Sequence, residues 1–310
     1  MSQKDLTEPH GRINTMVQRS DRPMTESHEI TIEELIARYA VLLLDAYGVL
    51  VNDRGALPGA VGLIDELNRT RKPYYLLTND ASKLPQTAAD RFQGYGLAID
   101  PDRIITSGAL LKSYFETHGL QGARCAVLGP ADSARYVADA GGTVVPPADG
   151  FEVLVIGDES GFAFVDTVDT VVTEIIHKVE RRERFHLVLP NPDLIYPKAR
   201  REFGIASGSI ALIIEAALQL RYPGRPNLRF DRLGKPHAAI FQEALKRSGT
   251  EDMLMIGDQL ETDIRGAGAF GLDSVLVGTG ITDPANTAIA GQPRPTYRMG
   301  SIGLGRSKSC

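Results

Sequence analysis

The chain of 310 residues has few cysteines and no long apolar run. Its two cysteines, Cys125 and Cys310, are far apart and lack the paired spacing of a zinc site, which argues against a disulfide framework and indicates a reducing compartment such as the cytoplasm. No run of 18 apolar residues occurs, so no membrane span is expected, and residues 1–29 lack the hydrophobic core of a signal peptide.

Basic blocks and metal-type histidine patterns are also lacking. Lys and Arg total 34 against 39 acidic residues, a net charge of −5, and this balance predicts no nucleic-acid surface. The six histidines show no ligand spacing. Residues 1–29 carry few large apolar side chains and no periodicity, so we predict a disordered tail there. The remaining chain, in a sequence that is 43% hydrophobic, is long enough for a large core and for two domains.

The pattern is organised around residues 41–50, in which one carboxylate, Asp45, interrupts a run of β-forming side chains. Such an aliphatic run suits a strand that is buried on both faces of a parallel sheet, and Gly48 permits the sharp departure that leaves Asp45 at the carboxyl end of the strand. Open α/β sheets bind their ligands at that end. Because burying an unpaired carboxylate is costly, Asp45 either caps or pairs with a neighbour, or it has a functional role.

Three later segments supply groups that complement Asp45, and each stands at a strand end or a helix start: Thr78 with Asn79, Lys235, and Asp258 with Asp263. A hydroxyl and an amide can bind phosphate oxygens, a lysine can stabilise developing charge, and a pair of carboxylates can hold a hard cation. Each segment alone also has an ordinary structural explanation, since Thr-Asn-Asp is a common helix cap and acids at a helix start form caps and salt bridges.

Together and in this order, these segments resemble the four motifs of the haloacid dehalogenase-like hydrolase superfamily. More narrowly, they are similar to its type IIA branch, which contains nitrophenyl phosphatase-like, pyridoxal phosphatase-like and sugar-phosphate phosphatase-like proteins. The resemblance covers residues 30–300. It implies a phosphatase that acts on a small phosphorylated metabolite and uses Mg²⁺ as its cofactor.

The resemblance also implies a role for each motif residue. Asp45 is expected to attack phosphorus and form an aspartyl-phosphate, while Lys235 stabilises charge and keeps Asp45 ionised. Thr78 and Asn79 are expected to hold phosphate oxygens. The residues expected around Mg²⁺ are Asp45, the backbone carbonyl of Tyr47, and Asp258, with Asp263 orienting Lys235 or metal-bound water.

The spacing of the motifs predicts the architecture. Asp45 and Thr78 are 33 residues apart, which leaves room for one helix and one strand, whereas Thr78 and Lys235 are 157 residues apart. A large cap must therefore lie in the second interval, which is the type IIA pattern. We predict an α/β fold with a Rossmann-like parallel-sheet core and an inserted α/β cap that determines substrate specificity. The predicted bounds are residues 30–108 and 231–302 for the core, 109–230 for the cap and 303–310 for a loose end.

Within the cap, Asn191 and Asp193 resemble substrate-facing positions of type IIA proteins. Asn-Pro-Asp is also a good turn sequence, so the same residues could simply shape a loop. Ser209 likewise either faces the substrate or caps a predicted helix over residues 210–220. The resemblance further implies that the cap surfaces can pair in a homodimer.

A glycine pattern at residues 266–271 matches the dinucleotide-binding fingerprint but occurs in the wrong context. It lies in a predicted helix and precedes a strand, whereas the fingerprint requires the strand first and the helix afterwards. We therefore predict no nicotinamide or flavin cofactor. The small residues are instead expected to let the helix pack closely on the sheet, with Gly271 as its C-cap.

Tyr47 departs from the family pattern and leaves two alternatives open. Most phosphatases of the superfamily place a second Asp at this position, where it protonates the leaving alkoxide and activates water. The Asp-Ala-Tyr-Gly string looks more like true haloacid dehalogenases, whose reaction needs no such proton. Two features argue against that alternative, because dehalogenases do not need the Asp258 metal motif and do not carry their cap in the second interval. The alternatives are thus a 2-haloacid dehalogenase-type hydrolase, or a catalytically weak phosphate-ligand-binding regulatory protein.

Overall fold

The computed structural model describes residues 28–199, 202–280, 282 and 293–304, with only the backbone at 197–199. The predicted tail up to residue 27, Cys310 and the rest of the predicted loose end from residue 305 onward lie outside the described residues. The helices are α1 Ile32–Arg38, α2 Ala60–Arg69, α3 Pro85–Gly94, α4 Leu110–His118, α5 Ala131–Asp139, α6 Phe164–Arg181, α7 Ser207–Arg221, α8 Ala238–Ser248 and α9 Arg265–Phe270.

The strands alternate with these helices through most of the chain. They are β1 His28–Glu29, β2 Val41–Leu44, β3 Val51–Asn52, β4 Gly55–Ala56, β5 Tyr74–Thr78, β6 Ile104–Thr106, β7 Arg124–Leu128, β8 Thr143–Val144, β9 Val153–Ile156, β10 His186–Leu189, β11 Ile195–Ala199, β12 Glu202–Ile205, β13 Asp231–Arg232, β14 Met253–Gly257, β15 Asp273–Val277 and β16 Tyr297–Met299.

The larger sheet has seven parallel strands in the order β1-β16-β15-β14-β2-β5-β6. The chain runs outward from β2 through β5 to β6 on one side, and from β14 through β15 to β16 on the other. The strand order therefore reverses between β2 and β14, and a crevice opens at the carboxyl ends of two such strands. Asp45 and Asp258 each follow one of these two strands.

The predicted apolar strand is buried on both faces of this sheet, as its continuous aliphatic sequence requires. Leu42 and Leu44 pack into a cluster with α1, α2 and α3, whereas Val41 and Leu43 face a second cluster on the opposite side. The larger sheet with its helices confirms the predicted Rossmann-like architecture.

The helix that leads into β2 begins with a capping box. The Thr31 hydroxyl accepts a hydrogen bond from the Glu34 backbone N–H at 3.3 Å, and the Thr31 N–H donates to the Glu34 carboxylate at 2.9 Å. The Thr-x-x-Glu spacing predicts this arrangement from sequence alone, because the side chain of each residue accepts a hydrogen bond from the backbone N–H of the other.

A smaller parallel sheet, in the order β13-β10-β9-β7-β8, forms the inserted α/β unit. One face is covered by α6 and α7 through side chains such as Ile175 and Ile214. The other face shares its apolar cluster with the larger sheet: Val153 and Leu43 belong to the same buried group, and the α4 residue Phe115 lies in it as well. The two sheets are therefore joined by a common core.

Three local features were not predicted from the sequence. Strands β11 and β12 pair as an antiparallel hairpin that leads directly into α7. Residues 231–232, at the predicted return to the core, pair with β10 and so extend the smaller sheet. Short strand β1 also lies within the predicted tail, where it pairs with β16. Among the described residues, no helix combines the length and the apolar character needed to cross a membrane.

Candidate active site

Asp45 lies directly beyond β2 at the point where the strand order reverses. Its backbone N–H donates to the carbonyl of Ile256 in β14 at 2.9 Å, which fixes it between the two central strands. Three residues later, Gly48 has a φ of +82°, a left-handed conformation that glycine adopts without steric cost and that turns the chain sharply away. The Asp45 side chain is buried, with 6% of the residue exposed.

Lys235 is the cation that compensates this buried charge. Its Nζ donates to Oδ1 of Asp45 at 2.6 Å and to Oδ1 of Asp263 at 2.7 Å. Burial raises the pKa of Asp45 to about 7. The positive charge of Lys235 opposes this rise, and the negative charge of Asp263 adds to it. Burial alone would lower the pKa of Lys235, but the charges of Asp263 and Asp45 outweigh it and raise that pKa. The lysine therefore remains protonated between the two acids.

Three buried carboxylates converge at this point of the sheet. Asp45, Asp258 and Asp263 each contribute an oxygen that lies within 4.8 Å of the others. The backbone passes close to Asp258 at two glycines, because a Cβ added at Gly280 or Gly48 would come within 1.8 Å or 2.3 Å of its Oδ2. Oxygen ligands at the base of a polar crevice suit a hard divalent cation such as Mg²⁺, so the donor set fits the predicted cofactor.

Asp263 is held by the protein on both of its oxygens. Oδ1 accepts the bond from Lys235, and Oδ2 accepts the backbone N–H of Gln259 at 3.1 Å. The segment that carries it, Leu260–Ile264, forms a π-helical turn before α9. Such turns are frequent at functional sites, where the wider backbone spacing re-aims a side chain. In this arrangement Asp263 positions Lys235.

Thr78 is the last residue of β5, the strand next to β2, and Asn79 follows it directly. The Asn79 side chain connects two other parts of the site: its Nδ2 donates to the Lys235 carbonyl at 3.0 Å and to Oδ1 of Asp193 at 2.9 Å, and its Oδ1 accepts the Lys235 N–H at 2.7 Å. Both amide protons are thus used within the protein. A direct contact of this side chain with phosphate would require one of these bonds to break. The Thr78 hydroxyl accepts the backbone N–H of Asp80 at 3.2 Å.

The predicted cap residues Asn191 and Asp193 reach the same crevice. Oδ1 of Asn191 accepts the backbone N–H of Asp193 at 3.0 Å, which is the turn predicted as the alternative for this sequence. Asp193 also contacts the core through Asn79. Burial raises the pKa of Asp193 to about 6, although the Asn79 hydrogen bond opposes the rise. The turn therefore brings a carboxyl of the inserted unit next to the Lys235 motif.

A cavity of about 900 Å³ opens above these groups, between the larger sheet and the inserted unit. Its lining includes the predicted catalytic, phosphate-binding and metal-binding residues except Asp263, which lies fully buried beneath it, and it does not include Ser209. Side chains from the hairpin also reach it, among them Ile195 and Phe203.

One of the two roles expected for Ser209 does not fit the structure. Helix α7 begins at Ser207, with Ala206 at its N-cap, so Ser209 lies inside the helix rather than at its cap. The Ser209 hydroxyl donates to the carbonyl of Leu194 at 2.6 Å and ties the helix to the chain before β11. The interpretation of Ser209 as a helix cap was therefore wrong. By contrast, residues 265–270 form α9 and Gly271 is its left-handed C-cap, as predicted.

Tyr47 points toward a residue that sequence reasoning missed. Its hydroxyl accepts a hydrogen bond from Nη2 of Arg91 in α3, and the guanidinium carbon lies 5.4 Å from the centre of the Tyr47 ring. On its other side Arg91 lies over Tyr95, at 5.7 Å, and its Nε donates to the Tyr95 hydroxyl at 3.3 Å. Arg91 stands in the last turn of an ordinary amphipathic helix, and no motif marks it in the sequence.

Two threonines beyond β15 also contact the site and were not predicted. The Thr279 hydroxyl donates to the carbonyl of Gly48, and the Thr282 hydroxyl donates to the carbonyl of Asp258, each at 2.5 Å. They connect the loop after β15 to the turns that carry Asp45 and Asp258. Their position in a Gly- and Thr-rich stretch offers no recognisable signal.

The chain is similar to known proteins along most of its length. Residues 42–143 match the haloacid dehalogenase-like hydrolase family, and residues 232–302 match the HAD-hydrolase-like family. A dihydroxyacetone phosphatase from Corynebacterium glutamicum (strain R) is 29% identical over 265 residues, covering 84% of this chain and 88% of that protein.

Two solved structures are similar over nearly the whole described fold. A possible sugar phosphatase of the HAD superfamily from Cytophaga hutchinsonii has 32% identity and a TM-score of 0.77, covering 90% of this chain and 99% of that one. A glycerol phosphate phosphatase from Mycobacterium tuberculosis, in complex with magnesium, has 25% identity and a TM-score of 0.74, covering 89% of this chain and 78% of that one. The chain therefore belongs to the haloacid dehalogenase-like hydrolase superfamily, as its four motifs predicted.

Proposed function

We propose that the protein is a Mg²⁺-dependent phosphatase that hydrolyses a small phosphorylated metabolite through an aspartyl-phosphate on Asp45. The observation that carries this proposal is the position of Asp45 at the carboxyl end of β2, where the strand order reverses. Lys235 lies 2.6 Å from it, and two further carboxylates lie nearby. A carboxylate nucleophile, a fixed cation and a cation-binding acid set are the groups that attack on a phosphate dianion requires.

The metal would be held by Asp45, Asp258 and the backbone carbonyl of Tyr47, with Asp263 in support. When bound, Mg²⁺ neutralises the negative charge of the phosphate and of the attacking carboxylate. The structure of the related glycerol phosphate phosphatase is a complex with magnesium, which supports this choice of ion.

The chemistry of the protein groups follows from their positions. The Asp45 carboxylate forms a bond to phosphorus as the ester oxygen departs, and water then hydrolyses the acyl phosphate to release phosphate and restore Asp45. Lys235 stabilises the charge on the transferred group, while Asp263 and the Asn79 amide keep the lysine in place. The Thr78 hydroxyl, which lines the cavity, would donate to a phosphate oxygen.

The substrate is a small phosphorylated sugar or a related polyol or triose phosphate. Three relatives are described as dihydroxyacetone, sugar and glycerol phosphate phosphatases, and these names support this class for the present chain. Asn191 and Asp193, at the edge of the inserted unit, are the proposed contacts to the substrate. Residues 109–230 would then act as the specificity cap over a core formed by residues 30–108 and 231–302.

A haloacid dehalogenase remains the alternative suggested by Tyr47, but the relatives do not favour it. Dehalogenation needs no divalent cation, whereas this site gathers three buried carboxylates. The test is phosphate release from glycerol 3-phosphate, dihydroxyacetone phosphate and nitrophenyl phosphate, with Mg²⁺ and with EDTA. Metal-dependent release is expected, and chloride release from 2-chloropropionate without metal would overturn the proposal.

We also propose that the cap forms a homodimer. Large apolar side chains on and beside the β11–β12 hairpin and on α7 are about half exposed: Leu194, Ile195, Phe203, Ile205, Leu212 and Ile213. An exposed apolar surface of this kind favours a protein partner, and the implied partner is a second copy. Sedimentation over a range of concentrations should show a dimer, and a monomer at micromolar concentration would contradict this proposal.

A further inference from the structure

Arg91 occupies an unusual position among the cations that line the active-site cavity. Lys235 is bound by two carboxylates, Lys83 forms an ion pair with Asp80 at 3.3 Å, and Arg54 is exposed on the β3–β4 turn. Arg91 is half-buried between the rings of Tyr47 and Tyr95. Within the described part of the chain, no acid lies within ion-pair distance of its guanidinium.

The hydrogen bonds of Arg91 leave most of its donors available. A guanidinium has five N–H groups in a fixed planar fork. The contacts to the two tyrosine hydroxyls use one N–H on Nε and one on Nη2. The two tyrosine hydroxyls hold the guanidinium at two of its nitrogens, so the remaining three donors are presented with little loss of side-chain freedom on binding. A fixed guanidinium with free donors in a polar cavity is suited to a planar or tetrahedral anion.

Arg91 is separated from the groups that would hold the transferred phosphate. Lys235 contacts Asp45 directly, whereas Arg91 contacts the hydroxyl of Tyr47, the far end of a long side chain two residues beyond Asp45. The charge of the transferred phosphate would already be neutralised by Lys235 and by the cation that the carboxylates would bind. An anion at Arg91 would therefore belong to another part of the substrate.

We propose that Arg91, positioned by Tyr47 and Tyr95, recognises a second anionic group on the substrate, so that the preferred substrates are small phosphomonoesters that also carry a carboxylate or a second phosphate. This inference rests on the proposed phosphatase function and narrows its substrate class. It also gives Tyr47 a role as a positioning residue. A phenol at this position holds the guanidinium by its hydroxyl and its ring, which the shorter side chain of Asp could not do.

The test compares substrates that share a three-carbon frame and differ only at the far end. These are 3-hydroxypropyl phosphate, 3-phosphooxypropionate and propane-1,3-diyl bisphosphate, assayed with Mg²⁺ on the wild type and on Arg91→Gln, Arg91→Lys and Arg54→Gln. The wild type is expected to prefer one anionic compound over the alcohol by about 10- to 100-fold in kcat/KM, the range of a charge-assisted hydrogen bond. The better of the two anions identifies the group as carboxylate or phosphate.

Arg91→Gln should lose this preference while turnover of 3-hydroxypropyl phosphate changes less than about threefold, and Arg91→Lys should retain part of it because the charge remains. Arg54→Gln removes the same charge from the exposed rim and should keep the preference. The inference is overturned if the wild type shows no preference, if Arg91→Gln slows all three compounds equally, or if Arg54→Gln has the same effect as Arg91→Gln.

A binding measurement separates this inference from the proposed function. Calorimetry with 3-phosphonopropionate, propane-1,3-diylbisphosphonate and 3-hydroxypropylphosphonate, which cannot be hydrolysed, reports selectivity whether or not the protein releases phosphate. Preferential binding of the carboxylate or the bisphosphonate that disappears in Arg91→Gln supports the role of Arg91 even if no phosphomonoester is turned over. Equal binding of 3-phosphonopropionate, propane-1,3-diylbisphosphonate and 3-hydroxypropylphosphonate overturns it even if phosphatase activity is found.

Discussion

The Nζ of Lys235 lies 2.6 Å from Oδ1 of Asp45, although the two residues are 190 positions apart in the chain. The contact joins the end of the central strand to the segment in which the chain returns from the inserted unit. It is made in the interior, where only 3% of Lys235 is exposed, so the two charges interact with little screening by solvent. The chemistry and the stability of this site are therefore coupled.

Asp45→Asn is expected to abolish phosphate release and to leave the fold intact. The amide has nearly the same shape as the carboxylate but is a poor nucleophile, and Lys235 keeps its second partner, Asp263. Phosphate release and the circular dichroism melt should be measured on the same preparation. Turnover that survives in a folded Asp45→Asn protein would rule out the covalent mechanism.

Lys235→Met is expected to destabilise the protein by about 3 to 5 kcal/mol, because it leaves two buried carboxylates without their cation. Mg²⁺ should recover part of this loss, since an ion that binds only the folded state stabilises it by mass action. Urea unfolding with and without Mg²⁺ measures both effects. An unchanged unfolding midpoint in the metal-free variant would show that the ion pair adds little to stability.

Asp258→Ala should weaken Mg²⁺ binding more than Asp263→Ala does, because Asp263 is already held by Lys235 and by the Gln259 N–H. For Asp263→Ala we expect a loss in affinity of about 10- to 100-fold, as for other residues that orient a metal site. Titration calorimetry gives both values, and Asp65→Ala, at an exposed acid on α2, is the control. Equal affinity in wild type and Asp258→Ala would contradict the assignment of Asp258 as a ligand.

Asp193→Asn should change how stability depends on pH. Burial raises the pKa of this carboxyl from 3.8 to about 6, so the folded protein retains a proton that the unfolded chain has released. Asp193 therefore lowers stability as pH rises through this interval, from about pH 4 to pH 6. An amide does not titrate, so above about pH 6 the variant should have gained about 3 kcal/mol relative to wild type. Parallel pH profiles of urea unfolding for the two proteins would refute this.

Tyr47→Asp should increase the rate on alkyl phosphates more than on nitrophenyl phosphate. A positioned general acid contributes about 10² to 10⁴ in rate, and an alkoxide needs the proton whereas nitrophenolate leaves without one. Because the Tyr47 hydroxyl is held by Arg91, the substitution also frees the guanidinium. Steady-state kinetics on both substrates tests this. A wild-type enzyme that is equally fast on both must obtain the proton for the leaving alkoxide from another residue, which would contradict the prediction.

Much of the architecture could be predicted because it depends on local patterns. The aliphatic run before Asp45, the Thr31–Glu34 capping box and the glycine that ends α9 each reflect interactions within a few residues. The interval of 157 residues between Thr78 and Lys235 required an inserted unit, since a single crossover needs far fewer. The placement of the motif residues at strand ends followed from the same patterns.

Other features depend on which segments meet in three dimensions. The hairpin β11–β12 lacked a recognisable turn signal, and α4 lies in a core shared by both sheets, which no local period can reveal. The contact of Asn79 with Asp193, and that of Tyr47 with Arg91, join residues 114 and 44 positions apart. The sequence by itself determined which chemical groups are present and at which strand ends they stand. Only the tertiary structure decided their partners, because hydrogen bonds and ion pairs form between whichever side chains the packing of the two sheets brings within about 3 Å.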